Sequence, residues 1–130
     1  MSVTWNIHGA VITFTITTRA NGDLRKAIIE AMSSPEFPRS PAVMIDTRRE
    51  TENPTLDLLR LRAGWIATLV SRRHGSRCAL VARSHHRGVP RMFSILLATE
   101  GVQAEVFTTP RGARRWLTPG IGQRMGGAVS

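Results

Sequence analysis

The spacing of apolar and polar residues predicts that the chain begins with two strands. Val3–His8 and Ala10–Thr17 are rich in β-branched and aromatic residues, which fit the pleated surface of a sheet. His8-Gly9 lies between them and is typical of a tight hairpin turn. Apolar and mainly polar residues alternate along the second segment, so we expect one face of this strand to point into the core.

Four later segments have apolar residues at helical spacing or carry the residues that begin and end helices. An Asn-Gly-Asp turn precedes the first, proline stands at the start of the second and fourth, and glycine follows the second and third. The predicted helices are Asp23–Met32, Thr55–His74, Gly88–Glu100 and Pro110–Leu117.

Three short segments between these helices are predicted to be strands. Ala42–Asp46 is an apolar run that ends in aspartate before a helix, as expected of a buried parallel strand and its crossover. Arg77–Arg83 and Ala104–Phe107 complete the order β-β-α-β-α-β-α-β-α. This order predicts an α/β fold with a mixed, mostly parallel five-stranded sheet, an antiparallel N-terminal edge strand and four helices. We expect one domain over residues 1–117 and a flexible, glycine-rich tail over residues 118–130.

Composition narrows the class of protein. No apolar run reaches the roughly 20 residues of a membrane-spanning helix, and the N-terminus lacks the basic and apolar regions of a signal peptide. The single cysteine, Cys78, excludes an internal disulfide and fits the reducing cytoplasm. Because Cys78 lies within an apolar predicted strand, we expect a buried and unreactive thiol.

The charge of the chain is strongly positive and unevenly distributed. The formal net charge is +9, and Lys26 is the only lysine. No acidic residue occurs between Asp57 and Glu100, although this span carries arginines and histidines throughout. A general preference for arginine in the genome is one explanation; an anionic partner, such as lipid headgroups, an acidic protein or nucleic acid, is the other. Nucleic acid is less favoured because aromatic residues are few and no recognition motif is present.

The predicted helix Thr55–His74 carries two apolar stripes. One is wide enough to face the sheet, and the second lies nearly opposite and is bordered by arginine. Three explanations for the second stripe are open. A neighbouring helix of the same chain covers it, or it contacts a partner protein or a second copy. In the third, it lies on a membrane surface, at the inner membrane face, or over a lipid-like ligand. The candidate partner face consists of Leu58, Leu61, Arg62, Trp65, Leu69, Arg72 and Arg73.

Basic residues follow two neighbouring predicted strands at the point where each strand ends. Ligands of open α/β sheets gather at the carboxyl ends of the strands, and guanidinium groups beside a helix N-terminus suit a phosphate or carboxylate. A solvated polar loop is the alternative. The candidate anion site consists of Arg48, Arg83, His85, His86 and Arg87.

Catalytic and metal-binding signatures are weak. Asp46 with His85 or His86 is the one candidate acid–base pair, but an aspartate at a strand end is more typical of a loop anchor. No serine lies in a nucleophile elbow, and no cysteine and histidine spacing resembles a zinc site. We therefore predict no catalytic residue, no metal and no cofactor.

Five segments suggest a relationship to a known family. They are Gly9–Thr13, Val43–Arg48, Arg87–Phe93, Glu105–Thr109 and Ala113–Leu117. Their order and spacing over Val3–Leu117 resemble the STAS superfamily, and more closely its SpoIIAA-like branch. The resemblance implies a βα superhelix with its helices largely on one side of the sheet, and regulation or binding rather than catalysis.

The resemblance also singles out Thr55. Sporulation-type anti-sigma-factor antagonists are phosphorylated at a serine or threonine where the helix after the central strand begins, and Thr55 is the matching hydroxyl. The surrounding Asn53–Asp57 lacks the glycine of that motif. A helix N-cap, with the Thr55 hydroxyl accepting from a backbone N–H, is the alternative interpretation.

Together these observations predict a non-enzymatic, STAS-like regulatory or ligand-binding module in the cytoplasm. Its expected partner is anionic or amphipathic, either a lipid or membrane surface or another protein. A phospho-switched antagonist and a basic nucleic-acid-binding protein are the alternatives.

Overall fold

The computed structural model describes residues 3–17, 23–50, 54–70, 77–83 and 88–118. The described chain has the predicted order of strands and helices, and most boundaries agree to within one or two residues. The elements are β1 Val3–His8, β2 Val11–Ile16, α1 Asp23–Met32, β3 Ala42–Asp46, α2 Leu56–Val70, β4 Arg77–Val81, α3 Gly88–Thr99, β5 Gln103–Phe107 and α4 Pro110–Leu117.

The five strands form one mixed sheet in the order β1-β2-β3-β4-β5. β1 is antiparallel to β2, and every other neighbouring pair is parallel. The hairpin turns at Gly9, whose φ of 64° is a left-handed conformation that glycine adopts without strain. The predicted fold class and the predicted antiparallel edge strand are therefore confirmed.

Two apolar cores lie on opposite faces of the sheet. Along β3, Val43 and Ile45 belong to the larger core beneath α1, α2 and α3, whereas Met44 belongs to a smaller core. The smaller core includes Ala113 and Leu117 of α4. Because both faces of β3 are covered, all five of its residues are buried, which explains the unbroken apolar run in the sequence.

Polar and aromatic contacts attach α4 to the sheet. The Thr109 hydroxyl accepts from the Gly112 N–H at 3.1 Å and caps the helix, and Pro110 occupies its first turn. The Arg77 guanidinium lies 4.9 Å from the ring centroid of Trp116 and donates to the Trp116 carbonyl oxygen at 2.7 Å. The Trp116 ring also packs against Phe107, with ring centroids 5.6 Å apart.

Several sequence predictions concern residues at the limits of the description. Residues 71–76, which include the predicted end of α2 at His74, lie outside the described residues, as do residues 119–130 of the predicted tail. Thr118, the first residue assigned to that tail, caps the C-terminus of α4, because its hydroxyl and its backbone N–H donate to the Arg114 carbonyl oxygen at 2.8 and 3.0 Å.

Cys78 lies in the larger core and has no solvent exposure. Burial disfavours the thiolate and raises the pKa of Cys78 well above its ordinary value. The prediction of a buried thiol is confirmed. Among the helices that the structure describes, none has the length and apolar character needed to cross a membrane.

Candidate functional site

The second apolar stripe of α2 is largely covered within the chain. α2 contacts α1 and α3, Leu58 and Leu69 are only 8% and 2% exposed, and Trp65 is half-buried against the larger core. Leu61, at 54% exposure, is the member of the stripe that faces solvent. The first explanation, cover by neighbouring helices, therefore accounts for most of the stripe, and the predicted partner face is not a continuous surface.

Arg62 was expected on that partner face but lies inside the protein. It is 1% exposed, and its two terminal nitrogens donate to the Glu50 carboxylate at 2.7 and 3.3 Å. Its Nε is buried without a hydrogen-bond partner. Arg62 is buried rather than exposed because Glu50, in the loop after β3, neutralises its guanidinium. Arg72 and Arg73 lie outside the described residues.

Thr55 forms a cap at the start of α2. Its hydroxyl oxygen accepts from the Leu58 backbone N–H at 3.1 Å, which satisfies one of the free N–H groups of the first turn. The capping interpretation is confirmed, and the Thr55 side chain is exposed. Phosphorylation of Thr55 stays a prediction.

Asp46 ends β3 and holds Arg48 in place. Its carboxylate accepts from the Arg48 side chain at 3.0 and 2.8 Å and from the Arg48 backbone N–H at 3.1 Å. Burial raises the pKa of Asp46, but these hydrogen bonds and the charges of Arg48 and Arg49 outweigh burial and leave the pKa below its ordinary value. The same contact raises the pKa of Arg48. The Arg48 charge, predicted to bind an anion, is therefore neutralised by Asp46.

The Arg48 backbone nevertheless belongs to the predicted site. Its carbonyl oxygen accepts from Arg83 Nε at 2.7 Å. Thr47 links the same two strand ends, because its hydroxyl and its N–H donate to the Val81 carbonyl oxygen at 3.0 and 2.9 Å. The structure thus brings together the ends of β3 and β4, as predicted. His85, His86 and Arg87 lie outside the described residues.

An open cleft of about 330 Å³ lies between α3, β5 and the residues that follow β4. Its apolar floor includes Ala82 and Val106. The polar residues that line the cleft are Arg83, Arg91, Ser94, Glu105 and Thr108.

The cleft presents more positive than negative charge. Arg83 and Arg91 are exposed, and neither forms an ion pair with another described residue. Glu105 follows Ala104 and precedes Val106 in β5, both of which pack on the larger core beside α3, so its side chain points to the opposite face of the sheet. The Ser94 hydroxyl donates to the Arg91 carbonyl oxygen at 2.7 Å, which leaves its oxygen able to accept a hydrogen bond.

The sequence analysis identified Arg83 as a site residue and missed the rest of this lining. A signal for Arg91 and Ser94 was present, because residues three apart lie on the same side of a helix. Glu105 and Thr108 carried no local signal, since their position depends on β5 lying beside α3.

A comparison with protein-family models gave no match, and a comparison with curated proteins also gave none. The resemblance to STAS proteins stays a prediction. The described residues contain no cluster of three histidine, cysteine or acidic side chains arranged to hold a metal ion.

Proposed function

We propose that this protein is a non-enzymatic binding module that takes a small anionic ligand in the cleft beside Arg83 and Arg91. The observation that carries the proposal is the pair of guanidinium groups on one cleft, neither neutralised by another described side chain. A cleft of about 330 Å³ is at the lower end of the size range of small-molecule sites.

Arginine is suited to this role because its planar guanidinium donates two parallel hydrogen bonds to a phosphate or carboxylate. The hydrogen bond from Arg83 Nε to the Arg48 carbonyl oxygen uses one donor and leaves the terminal nitrogens for a ligand. Asp46 fixes Arg48, so this ion pair positions Arg83 without contacting the ligand. The Thr108 hydroxyl, which also lines the cleft, supplies a neutral donor.

The hydrogen bond of the Ser94 hydroxyl supports binding rather than catalysis. Its proton goes to a carbonyl of its own helix and not to a general base. The resemblance to STAS proteins, which regulate by binding, points the same way.

Titration of the full chain with inorganic phosphate, pyrophosphate and citrate at low salt tests the proposal by calorimetry. At least one of these anions should bind saturably. Arg91→Gln and Arg83→Gln should each weaken that binding by about tenfold or more, because each removes charge-assisted hydrogen bonds. Arg111→Gln, an equal change of charge at an exposed position of α4, should leave the affinity within about threefold.

Vesicles distinguish a lipid headgroup from a free anion. If the ligand is a headgroup, the wild-type chain should bind vesicles of phosphatidylglycerol but not of phosphatidylcholine. The Arg91→Gln variant should not bind either kind of vesicle. If the ligand is a free anion, the dissolved anions bind and both vesicles fail. Failure of every probe, or an equal loss in Arg111→Gln, contradicts the proposed site.

A further inference from the structure

The outer edge of β1 is an unprotected sheet edge. β1 lies at one end of the sheet, and within the described ranges no segment pairs with its outer side. All six residues of β1 pair in register with β2, without a bulge. The strand, Val-Thr-Trp-Asn-Ile-His, carries no proline, lysine, arginine or carboxylate. Natural proteins commonly protect exposed edges with such residues or with bulges, so this edge is open to another strand.

The charge around β1 permits association with a second copy. The described residues of β1, β2 and α1 hold two acidic residues, Asp23 and Glu30, and two basic residues, Arg25 and Lys26. The described residues of these three elements therefore carry no net charge, although the whole chain has a net charge of +9. Like-charge repulsion between two copies that meet through these described residues is therefore small.

The opposite edge of the sheet differs in this respect. β5 carries Glu105, and the α4 helix that follows carries Arg111, Arg114 and Arg115. Two copies meeting at β5 would bring these positive charges together. The charge distribution therefore favours β1 over β5 as an edge for self-association.

The side of α1 next to β1 is self-complementary. Trp5 Nε1 of β1 donates to the Glu30 carboxylate at 3.1 Å, which shows that the Glu30 side of α1 faces β1. Lys26 precedes Glu30 by four residues and therefore lies on the same side of the helix. A two-fold axis at the β1 edge would set Lys26 of each copy against Glu30 of the other.

We propose that β1 pairs antiparallel with β1 of a second copy to form a homodimer with a continuous ten-stranded sheet. A two-fold axis between the two β1 strands places the two α1 helices side by side on the same face of the joined sheet. The contact also covers the half-buried side chains of Trp5 and Ile7, which pack against the larger core. This surface is separate from the Arg83–Arg91 cleft.

Sedimentation equilibrium of the full chain and three variants tests the dimer. Lys26→Glu places four carboxylates across the two-fold axis and should raise the dimer dissociation constant by about tenfold or more. The exchanged pair Lys26→Glu/Glu30→Lys restores opposite charges and should return to within about threefold of wild type. Arg25→Glu makes the same change of charge one residue away, off the β1 side, and should also stay within about threefold.

Hydrogen exchange identifies the interface independently of the variants. In the dimer, the outward-facing amides of β1 should exchange more slowly as protein concentration rises, whereas those of β5 should not change. A chain that is monomeric at every concentration overturns the proposal, as does a dimer whose β1 amides gain no protection. Thermal unfolding of each variant checks that it is folded. Titration of the same variants with phosphate tests the Arg83–Arg91 cleft independently of the dimer.

Discussion

The Thr13 hydroxyl is a polar group that the fold buries without a described hydrogen-bond partner. Thr13 lies on β2, paired in register with Asn6 on one side and Met44 on the other. The residue is 9% exposed, and its oxygen has no hydrogen-bond partner. An unsatisfied buried hydroxyl lowers stability, because it loses its hydrogen bonds to water on folding.

Thr13→Val should therefore raise the free energy of unfolding by about 1 kcal/mol, since valine has the same shape, favours strands and has no hydroxyl. Urea denaturation measures the difference. Thr15→Val, on the same face two residues later, is the matched control and should change stability by less than about 0.5 kcal/mol. A less stable Thr13→Val variant would show that the hydroxyl is satisfied in solution.

The buried pair of Arg62 and Glu50 shows how a single contact determines whether a residue is surface or core. The sequence analysis placed Arg62 beside the second apolar stripe from its position on the helix, and therefore on the candidate partner face. Its partner lies 12 residues away in a loop. No spacing rule within the helix reports such a partner, so this burial could not be predicted locally.

Glu50→Gln should lower the free energy of unfolding by roughly 3 kcal/mol, because it leaves the Arg62 charge buried and unpaired. The double variant Glu50→Gln/Arg62→Met should be more stable than Glu50→Gln alone, since it removes that charge. Asp57→Asn, which breaks the exposed Arg60–Asp57 pair at 3.8 Å, is the control and should cost less than about 0.5 kcal/mol. Equal losses in the two single variants would mean that the Arg62 pair is solvated.

At the scale of elements, the pattern of strands and helices was predictable because it depends on local spacing. The sheet order followed from alternating strands and helices with short connections. What covers each helix was not predictable in the same way. Leu58 and Leu69 are buried because α2 contacts helices from distant parts of the chain, and the periodicity of α2 alone left three explanations open.

The hydrogen bonds of Asp46 at the carboxyl end of β3 should make the free energy of unfolding depend on pH. The lowered pKa of Asp46 means that its ionised form is favoured by folding. This contribution is fully present above the ordinary pKa near 3.8 and is lost as the pH falls through the lower folded value. The stability advantage of wild type over Asp46→Asn should therefore shrink as the pH falls below about 5.

Urea denaturation at several pH values measures this advantage. Arg48→Gln removes the hydrogen bonds from the Arg48 side chain to Asp46 and should lose much of the same pH dependence. If the difference in unfolding free energy between wild type and Asp46→Asn instead grows as the pH falls, the Arg48–Asp46 contact does not stabilise the ionised form of Asp46.

At the scale of the whole molecule, the positive charge was visible in the sequence, but the cleft lined by Arg83 and Arg91 was not. Arg83, Arg91 and Thr108 come from a strand end, a helix and a second strand end, and only the packing of α3 against β5 brings them to one cleft. The sequence analysis reached the same edge of the sheet through Arg83. It assigned the charge of Arg48 to a ligand, whereas the fold uses that charge on Asp46.

The order of strands in space is the same as their order along the chain. Each new strand therefore pairs with the free edge of the strand before it, and no strand pairing that has already formed needs to be broken. Such a chain is able to assemble step by step from its N-terminus during synthesis. α4, the last described element, covers the remaining face of β3 and β4 and closes the structure at the end.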